Sequence, residues 1–175
     1  MNSEKLYHIS ESPNIKIFSP RISPSHFESL DRDVVFAISE KLLHHYILPR
    51  DCPRVCFYPG GKSSQSDIEK FIGPGSADYV MAVENKWYRK IQMTTLFVYE
   101  MPADYFTLLD ECAGYYVSPE AIVPLSVKPI YNILDELLKR NIELRFMPSL
   151  GPLAEQVKQS TLNFSLIRMR NSGLS

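Results

Sequence analysis

The sequence predicts an α+β fold in a single domain that spans residues 1–175. Three observations predict this class. A chain of 175 residues is long enough to bury one sizeable hydrophobic core. Short apolar strand candidates follow one another closely, and the helix candidates are spread irregularly among them. Because helices and strands do not alternate regularly, we expect a mixed or mainly antiparallel sheet with flanking helices.

Prolines and polar turns divide the first third of the chain into short elements. The run at residues 34–38 is apolar and β-branched, which is typical of a buried strand. Ser39 follows this run and can cap a helix over residues 40–47, which must end before Pro49. Residues 20–33 are polar and rich in turn formers, so they are predicted as a loop. Further strands are predicted at residues 6–9, 15–18 and 54–58.

Capping and helical spacing predict the helices of the remaining sequence. A capping box of Ser66 and Glu69 predicts a short helix that ends at Ile72. Apolar residues at helical spacing predict a helix over residues 77–91 and a clearer amphipathic one whose apolar positions run from 130 to 138. Lys139 and Arg140 suit the C-terminal end of the second helix, and Asn141 suits the C′ position after it. The other elements are a helix at residues 152–159 and strands at residues 95–101, 115–117, 121–123, 142–146 and 162–169.

Composition excludes several classes of protein. Hydrophobic residues make up 45% of the chain and charged residues 22%, which excludes an intrinsically disordered protein. No apolar run approaches about 18 residues, so no membrane association is predicted. The net charge of -1 disfavours nucleic acid as a partner. Three cysteines without a visible signal peptide favour reduced thiols and a cytoplasmic protein.

Two short motifs suggest a phosphate loop and a metal site, but both lack required residues. Gly61-Lys62-Ser63 ends like a P-loop, yet Cys56 stands where that motif requires its first glycine, so an ordinary turn is predicted. The candidate metal ligands are His44, His45, Cys52 and Cys56. The two histidines are adjacent and point apart on a helix, and the sequence has no second pair of cysteines at ligand spacing. Because zinc sites use ligands at characteristic spacings, no metal site is predicted.

His8 and Glu120 are the candidate catalytic residues. His8 lies in an apolar strand on the opposite face from Tyr7 and Ile9, and its structural interpretation is a core histidine bonded to a backbone carbonyl. Glu120 lies at the entrance to a short apolar strand after a turn, where it can face a cleft, or alternatively is a solvated turn residue. Spacing alone favours the structural interpretation of each.

Arg21, Ser39 and Arg50 complete the candidate cofactor-binding residues, together with His8. Arg21 and Arg50 each stand next to a proline in a loop or at a helix end, where a guanidinium group can bind a phosphate bidentately. Surface arginines are common, so the alternative is ordinary solvation. Ser39 is the polar residue directly after the third predicted strand, at residues 34–38.

Three motifs in order along the chain resemble those of the ADP-ribosyltransferase-like fold. They are Tyr7-His8, Val34-Val35-Phe36-Ala37 and Glu120-Ala121-Ile122-Val123. The resemblance implies a split sheet and NAD as a cofactor, with His8 bonded to the adenosine ribose. It also implies that Glu120 stabilises the oxocarbenium-like transition state of nicotinamide loss. Val35 stands where the middle motif usually supplies an aromatic residue that stacks on nicotinamide.

The chain as a whole resembles a family of uncharacterised bacterial proteins through the segments LYHIS, ILPRDCPRV, AGYYVS and STLNFSLIRMRNS. This closer resemblance covers nearly the whole chain and implies no known function. The leading hypothesis is therefore a protein that binds a nucleotide-like small molecule or NAD, as ADP-ribosyltransferase-like proteins do. The alternatives are a non-catalytic ligand-binding or protein-interaction module and an RNA end-processing phosphotransferase. The sequence makes no prediction of the oligomeric state.

Overall fold

A computed structural model describes residues 4–22, 30–75 and 77–173. The chain divides into two compact units. The first is Met1–Leu43 with Leu96–Ile130, and the second is His44–Thr95 with Tyr131–Ser175. Helices together with antiparallel and mixed sheets confirm the predicted α+β class. The single domain over residues 1–175 stays a prediction.

The described residues contain ten strands, four α-helices and four 3-10 helices. The strands are β1 Leu6–Ser10, β2 Val35–Ser39, β3 Arg54–Tyr58, β4 Tyr79–Glu84, β5 Leu96–Met101, β6 Thr107–Asp110, β7 Tyr115–Ser118, β8 Ser126–Ile130, β9 Ile142–Met147 and β10 Asn163–Ile167. The α-helices are α1 Gln65–Phe71, α2 Tyr88–Met93, α3 Ile133–Leu138 and α4 Gly151–Lys158. The 3-10 helices are Glu40–Tyr46, Asn85–Trp87, Ala103–Tyr105 and Met169–Asn171.

The first unit is built on an antiparallel sheet of six strands in the order β6-β7-β2-β1-β5-β8. Alternating residues of the central strands point to one face and form a buried apolar cluster. Its members include Leu6 of β1, Val35 of β2 and Tyr99 of β5, each at most 4% exposed. Phe18 and Ile122 pack against them from the neighbouring segments.

The second unit is built on a sheet of four strands in the order β10-β3-β4-β9. Its strands are antiparallel except β4 and β9, which are parallel. Val55 and Phe57 of β3 share a buried cluster with Phe71 of α1 and with Ala154 and Val157 of α4. Helices α1 and α4 therefore pack on one face of this mixed sheet, in agreement with the predicted flanking helices.

The helix predicted over residues 77–91 is wrong. Residues 79–84 form strand β4, a 3-10 helix follows, and α2 begins only at Tyr88. Val80 to Glu84 are all buried, because β4 lies inside the sheet between β3 and β9. A strand covered on both faces is apolar throughout, so it carries residues at helical intervals by chance. The spacing of Trp87 and Ile91 then extended that false pattern.

Several element boundaries also differ from the prediction. Residues 15–18 and 121–123 form no strands but meet in one bridge, between Phe18 and Ile122. The amphipathic helix starts at Ile133, after Asn132 accepts a hydrogen bond from the Asp135 amide, and residues 126–130 form β8 instead. The first capping residue of α1 is Ser64, two positions before the predicted one. Of the predicted loop 20–33, residues 23–29 lie outside the described residues.

Candidate functional site

His8 lies where strand β1 separates from strand β2. The ladder between these strands has two residue pairs, Leu6 with Ser39 and Tyr7 with Ile38, whereas the ladder between β1 and β5 continues to Ser10. Beyond Tyr7, a side-chain bond connects the two strands: His8 Nδ1 lies 2.8 Å from the carbonyl oxygen of Phe36. This is the bond to a backbone carbonyl that the structural interpretation of His8 predicted.

The bond to Phe36 fixes the tautomer and orientation of the His8 ring. A carbonyl oxygen only accepts, so Nδ1 must carry the proton and Nε2 is the acceptor of the neutral ring. The imidazole is half-buried, and its centroid lies 4.7 Å from that of the Phe18 ring. Phe18 is in turn paired with Ile122 through two backbone hydrogen bonds of 2.8 Å.

Glu120 is an exposed residue of the turn that connects β7 to Ile122. Its amide donates to Ser118 Oγ at 3.2 Å, and Ser118 is fully buried opposite Val35 of β2. β7 pairs with β2, and β2 pairs with β1. The first two motifs of the resemblance therefore lie on the adjacent strands β1 and β2, and the third begins in the turn that follows β7. Glu120 and His8 are thus brought to the same end of the six-stranded sheet.

Arg21 lies at that same end. Its backbone pairs with Val34 through two hydrogen bonds of 3.2 Å, just before β2 begins, and its side chain is exposed. A shallow, open cavity of about 300 Å³ is lined by residues of this segment, Ile15 and Ile17 to Arg21. Its lining includes Phe18, which is 3% exposed and belongs to the buried cluster, and the basic residue Arg21.

Ser39 and Arg50 lie apart from these residues in different ways. Ser39 is 4% exposed at the other end of β2, where its amide donates to the Gly114 carbonyl at 2.9 Å. Gly114 has φ 68°, and a Cβ built on it would lie 2.7 Å from Ser39 Oγ. Arg50 is an exposed residue of the second unit. The roles of both residues in cofactor binding stay predictions.

Val35, at the position of the stacking aromatic, is 4% exposed and belongs to the buried cluster of the first unit. Its neighbour Phe36 packs edge to face with Tyr115, with ring centroids 6.1 Å apart. β2 therefore turns Val35 into the core, and the residue offers no ring to a nicotinamide.

The second unit contains buried polar residues that sequence reasoning missed. Arg54 is 2% exposed, and its guanidinium donates to the carbonyls of Pro49 at 3.2 Å and Cys52 at 2.8 Å. Glu84 is 1% exposed, accepts a hydrogen bond from the Gly173 amide at 2.9 Å, and forms an ion pair of 2.9 Å with Lys86. Charged residues next to apolar strand runs were the available signal, but Glu84 fell inside the wrongly predicted helix.

Burial makes the histidine and cysteine side chains of this unit poor nucleophiles or bases. Burial, and then the charges of His44 and Arg54, hold the pKa of His45 well below its usual value. Burial raises the pKa of the Cys52 thiol to about 11 and that of Cys56 to about 12. Within the residues that the structure describes, no group of three or more His, Cys, Asp or Glu side chains is arranged to hold a metal ion.

Fold and site together define an α+β protein with a candidate ligand site at one end of its six-stranded sheet. The chain belongs to a family of unknown function, DUF6886, whose model matches residues 7–172. This confirms the predicted membership of an uncharacterised family. No curated protein and no solved structure matches the chain. No helix in the described ranges is long and apolar enough to cross a membrane.

Proposed function

We propose that the first unit binds NAD or a related nucleotide where β1 separates from β2. The observation that carries this proposal is the position of His8. The β1–β2 ladder stops one residue before it, and its side chain bonds to Phe36 in the neighbouring strand. A histidine held in one tautomer at such an opening can recognise a ligand hydroxyl, and the motif order that resembles ADP-ribosyltransferase-like proteins favours a ribose hydroxyl.

His8 would contact the ribose through Nε2. With Nδ1 donating to Phe36, Nε2 is the acceptor nitrogen of the neutral ring, which suits a hydrogen bond donated by a ribose hydroxyl. Arg21 and the adjoining cavity would take the phosphates, because guanidinium groups bind phosphate oxygens in pairs. Backbone hydrogen bonds of Arg21 with Val34 and of Phe18 with Ile122 hold this segment at the same end of the sheet as His8.

Glu120 would act at the bond between ribose and nicotinamide. Nicotinamide would leave with the electron pair of the glycosidic bond, and water or an acceptor nucleophile would form the new bond to the same ribose carbon. The ribose has oxocarbenium character between these events, and a nearby carboxylate stabilises that positive charge. Glu120 lies on an exposed turn anchored by the buried Ser118. The anchor holds the backbone of the turn in place, while the carboxylate can reach a ligand from solvent.

A second candidate function is favoured by Val35. Because that side chain is packed in the core, nicotinamide lacks the stacking partner that the middle motif usually supplies. The same site would then bind a nucleotide without cleaving it. Both functions require ligand binding at His8, and they differ in whether nicotinamide is released.

The experiment is a calorimetric titration with NAD, followed by chromatography for free nicotinamide. We expect wild-type protein to bind, and His8→Ala to bind about tenfold more weakly, a loss of about 1.4 kcal/mol. Glu120→Gln should bind as wild type but release no nicotinamide. Glu111→Gln, which neutralises another exposed carboxylate of the same unit, is the matched control and should behave as wild type.

Three outcomes distinguish the two candidate functions and the absence of both. Nicotinamide release that disappears in Glu120→Gln supports the transferase-like function. Binding that depends on His8, with no release by wild type, supports the non-catalytic binder. Absence of NAD binding by wild type, or equal binding by His8→Ala, would overturn the proposal.

A further inference from the structure

A group of four arginines lies at one corner of the sheet in the second unit, where β3 begins and β10 ends. Arg54 is paired with Ile167 at the end of the β3–β10 ladder, so Arg168 follows directly beside the start of β3. Arg170 belongs to the 3-10 helix after it. Asn171 Nδ2 donates to the carbonyl of Asp51 at 2.8 Å, which ties that helix to the loop carrying Arg50. These four residues are named the arginine corner.

The arginine corner concentrates positive charge in a chain whose net charge is -1. Arg168 is repelled by the positive charges of Arg170, Arg50 and Arg54 and attracted by the negative charge of the Asp51 carboxylate. None of the ion pairs in the described part of the chain involves Arg168 or Arg170. Burial and these three like charges lower the pKa of Arg168.

Buried polar atoms underlie the corner. Arg54 is 2% exposed, and its guanidinium holds the loop through the carbonyls of Pro49 and Cys52. Its Nε atom is buried without a hydrogen-bond partner among the described residues. Arg168, which follows the residue paired with Arg54, adopts the left-handed conformation, with φ 55° and ψ 27°, which is uncommon for a residue with a long side chain. Repulsion and backbone strain are both present before any ligand binds.

We propose that the arginine corner binds the diphosphate group of a small ligand through Arg168, Arg170 and Arg50. A diphosphate concentrates several negative charges within reach of neighbouring guanidinium groups, each of which pairs with two phosphate oxygens. The backbone of a nucleic acid spreads its charges along a line and would require a longer basic stripe. Arg54 is a positioning residue that fixes the loop beneath the ligand. The corner consists entirely of residues of the second unit and does not depend on the role of His8.

The test is calorimetric titration of the full chain with inorganic pyrophosphate in 0.15 M salt, where weak surface attraction is largely screened, with a Debye length of about 8 Å. We expect saturable binding by wild type. Arg168→Asn should weaken it about tenfold or more, because each charge-assisted contact to a phosphate is a strong one. Asparagine tolerates the left-handed conformation, so this variant should fold and melt no lower than wild type. Arg89→Gln, which removes an exposed charge from α2, is the matched control.

The outcomes separate the possible ligands. ATP that binds more tightly than pyrophosphate indicates a nucleotide, and equal binding indicates recognition of the diphosphate group alone; both support the proposal. Preference for a single-stranded oligonucleotide over pyrophosphate would overturn the assignment to a small ligand. So would an absence of saturable pyrophosphate binding, or equal weakening by Arg168→Asn and Arg89→Gln. None of these measurements uses NAD or changes His8, so failure here is distinguishable from failure at that site.

Discussion

Replacing Gly114 with alanine should destabilise the first unit, because the site has no room for a methyl group. Gly114 is buried directly before β7 and has φ 68°, in the region that favours glycine. A Cβ there would lie 2.7 Å from Ser39 Oγ and 3.1 Å from both Cβ and Cδ1 of Leu42. Ser39 Oγ can rotate away, but Leu42 Cβ moves only with its backbone.

Two terms give the expected loss in the free energy of unfolding. The left-handed conformation costs a residue with a side chain about 1–2 kcal/mol relative to glycine. Movement away from Leu42 would also weaken the bond between the Ser39 amide and the Gly114 carbonyl, now 2.9 Å, which contributes about 1 kcal/mol. We therefore expect Gly114→Ala to lose about 2–3 kcal/mol.

Urea denaturation followed by circular dichroism measures this loss. Gly61→Ala is the control, since a Cβ at Gly61 meets no atom within 4 Å, and it should change stability by less than about 1 kcal/mol. Adding Ser39→Ala to Gly114→Ala removes the shortest contact but leaves the strain and Leu42, so it should recover only part of the loss. Equal stability of the Gly114 and Gly61 variants would refute this account.

Titratable groups of the second unit give two further predictions. Because the pKa of His45 is low in the folded protein, the unfolded chain binds a proton at this residue more readily than the folded chain does. The contribution of His45 to stability is therefore present above about pH 6.5 and is lost as the pH falls below that value. The free energy of unfolding, measured by urea denaturation at pH 7.5 and 5.5, should show this loss. His45→Phe should reduce the difference between the two pH values, and an equal difference in the variant and wild type would contradict the role of His45. Among the cysteines, the exposed Cys112 should react with a thiol reagent at neutral pH before the buried Cys52 and Cys56. Mass mapping of the modified residue checks this order, which modification of Cys56 in the native protein would contradict.

Local sequence signals predicted the elements whose ends are determined by residues next to them in the sequence, such as flanking prolines. Strand β3 was predicted with the correct bounds because Pro53 and Pro59 flank an apolar run. Asn141 follows a helix as predicted, two positions after the C-cap Lys139 and not directly after it, and it has the positive φ of 56° that asparagine tolerates. Strand β4 failed because its burial comes from β9, which is distant in sequence and invisible to a local pattern. The exposed edge strand β8, with its proline, gave no apolar alternation to recognise.

The candidate site was only partly predictable for the same reason. His8 and Glu120 carry recognisable motifs, but their common location follows from pairings between segments far apart in sequence, such as Phe18 with Ile122. The arginine corner also joins residues near 50 with residues near 170 through the β3–β10 ladder. Neither arrangement leaves a periodic signal in the sequence. Arg50 was proposed from the sequence as a binding residue because of its neighbouring proline. The other arginines of the corner were identified only from the structure.

The interleaved order of the two units along the chain has a consequence for biosynthesis. Every strand of the six-stranded sheet has been synthesised once Ile130 has emerged from the ribosome, whereas β3 and β4 are made earlier but must wait for β9 and β10. We therefore expect the first unit to reach its native state while the second is still incomplete. In that interval both edges of the β3–β4 pair are uncovered, and these two apolar strands are then open to aggregation through their unpaired edges.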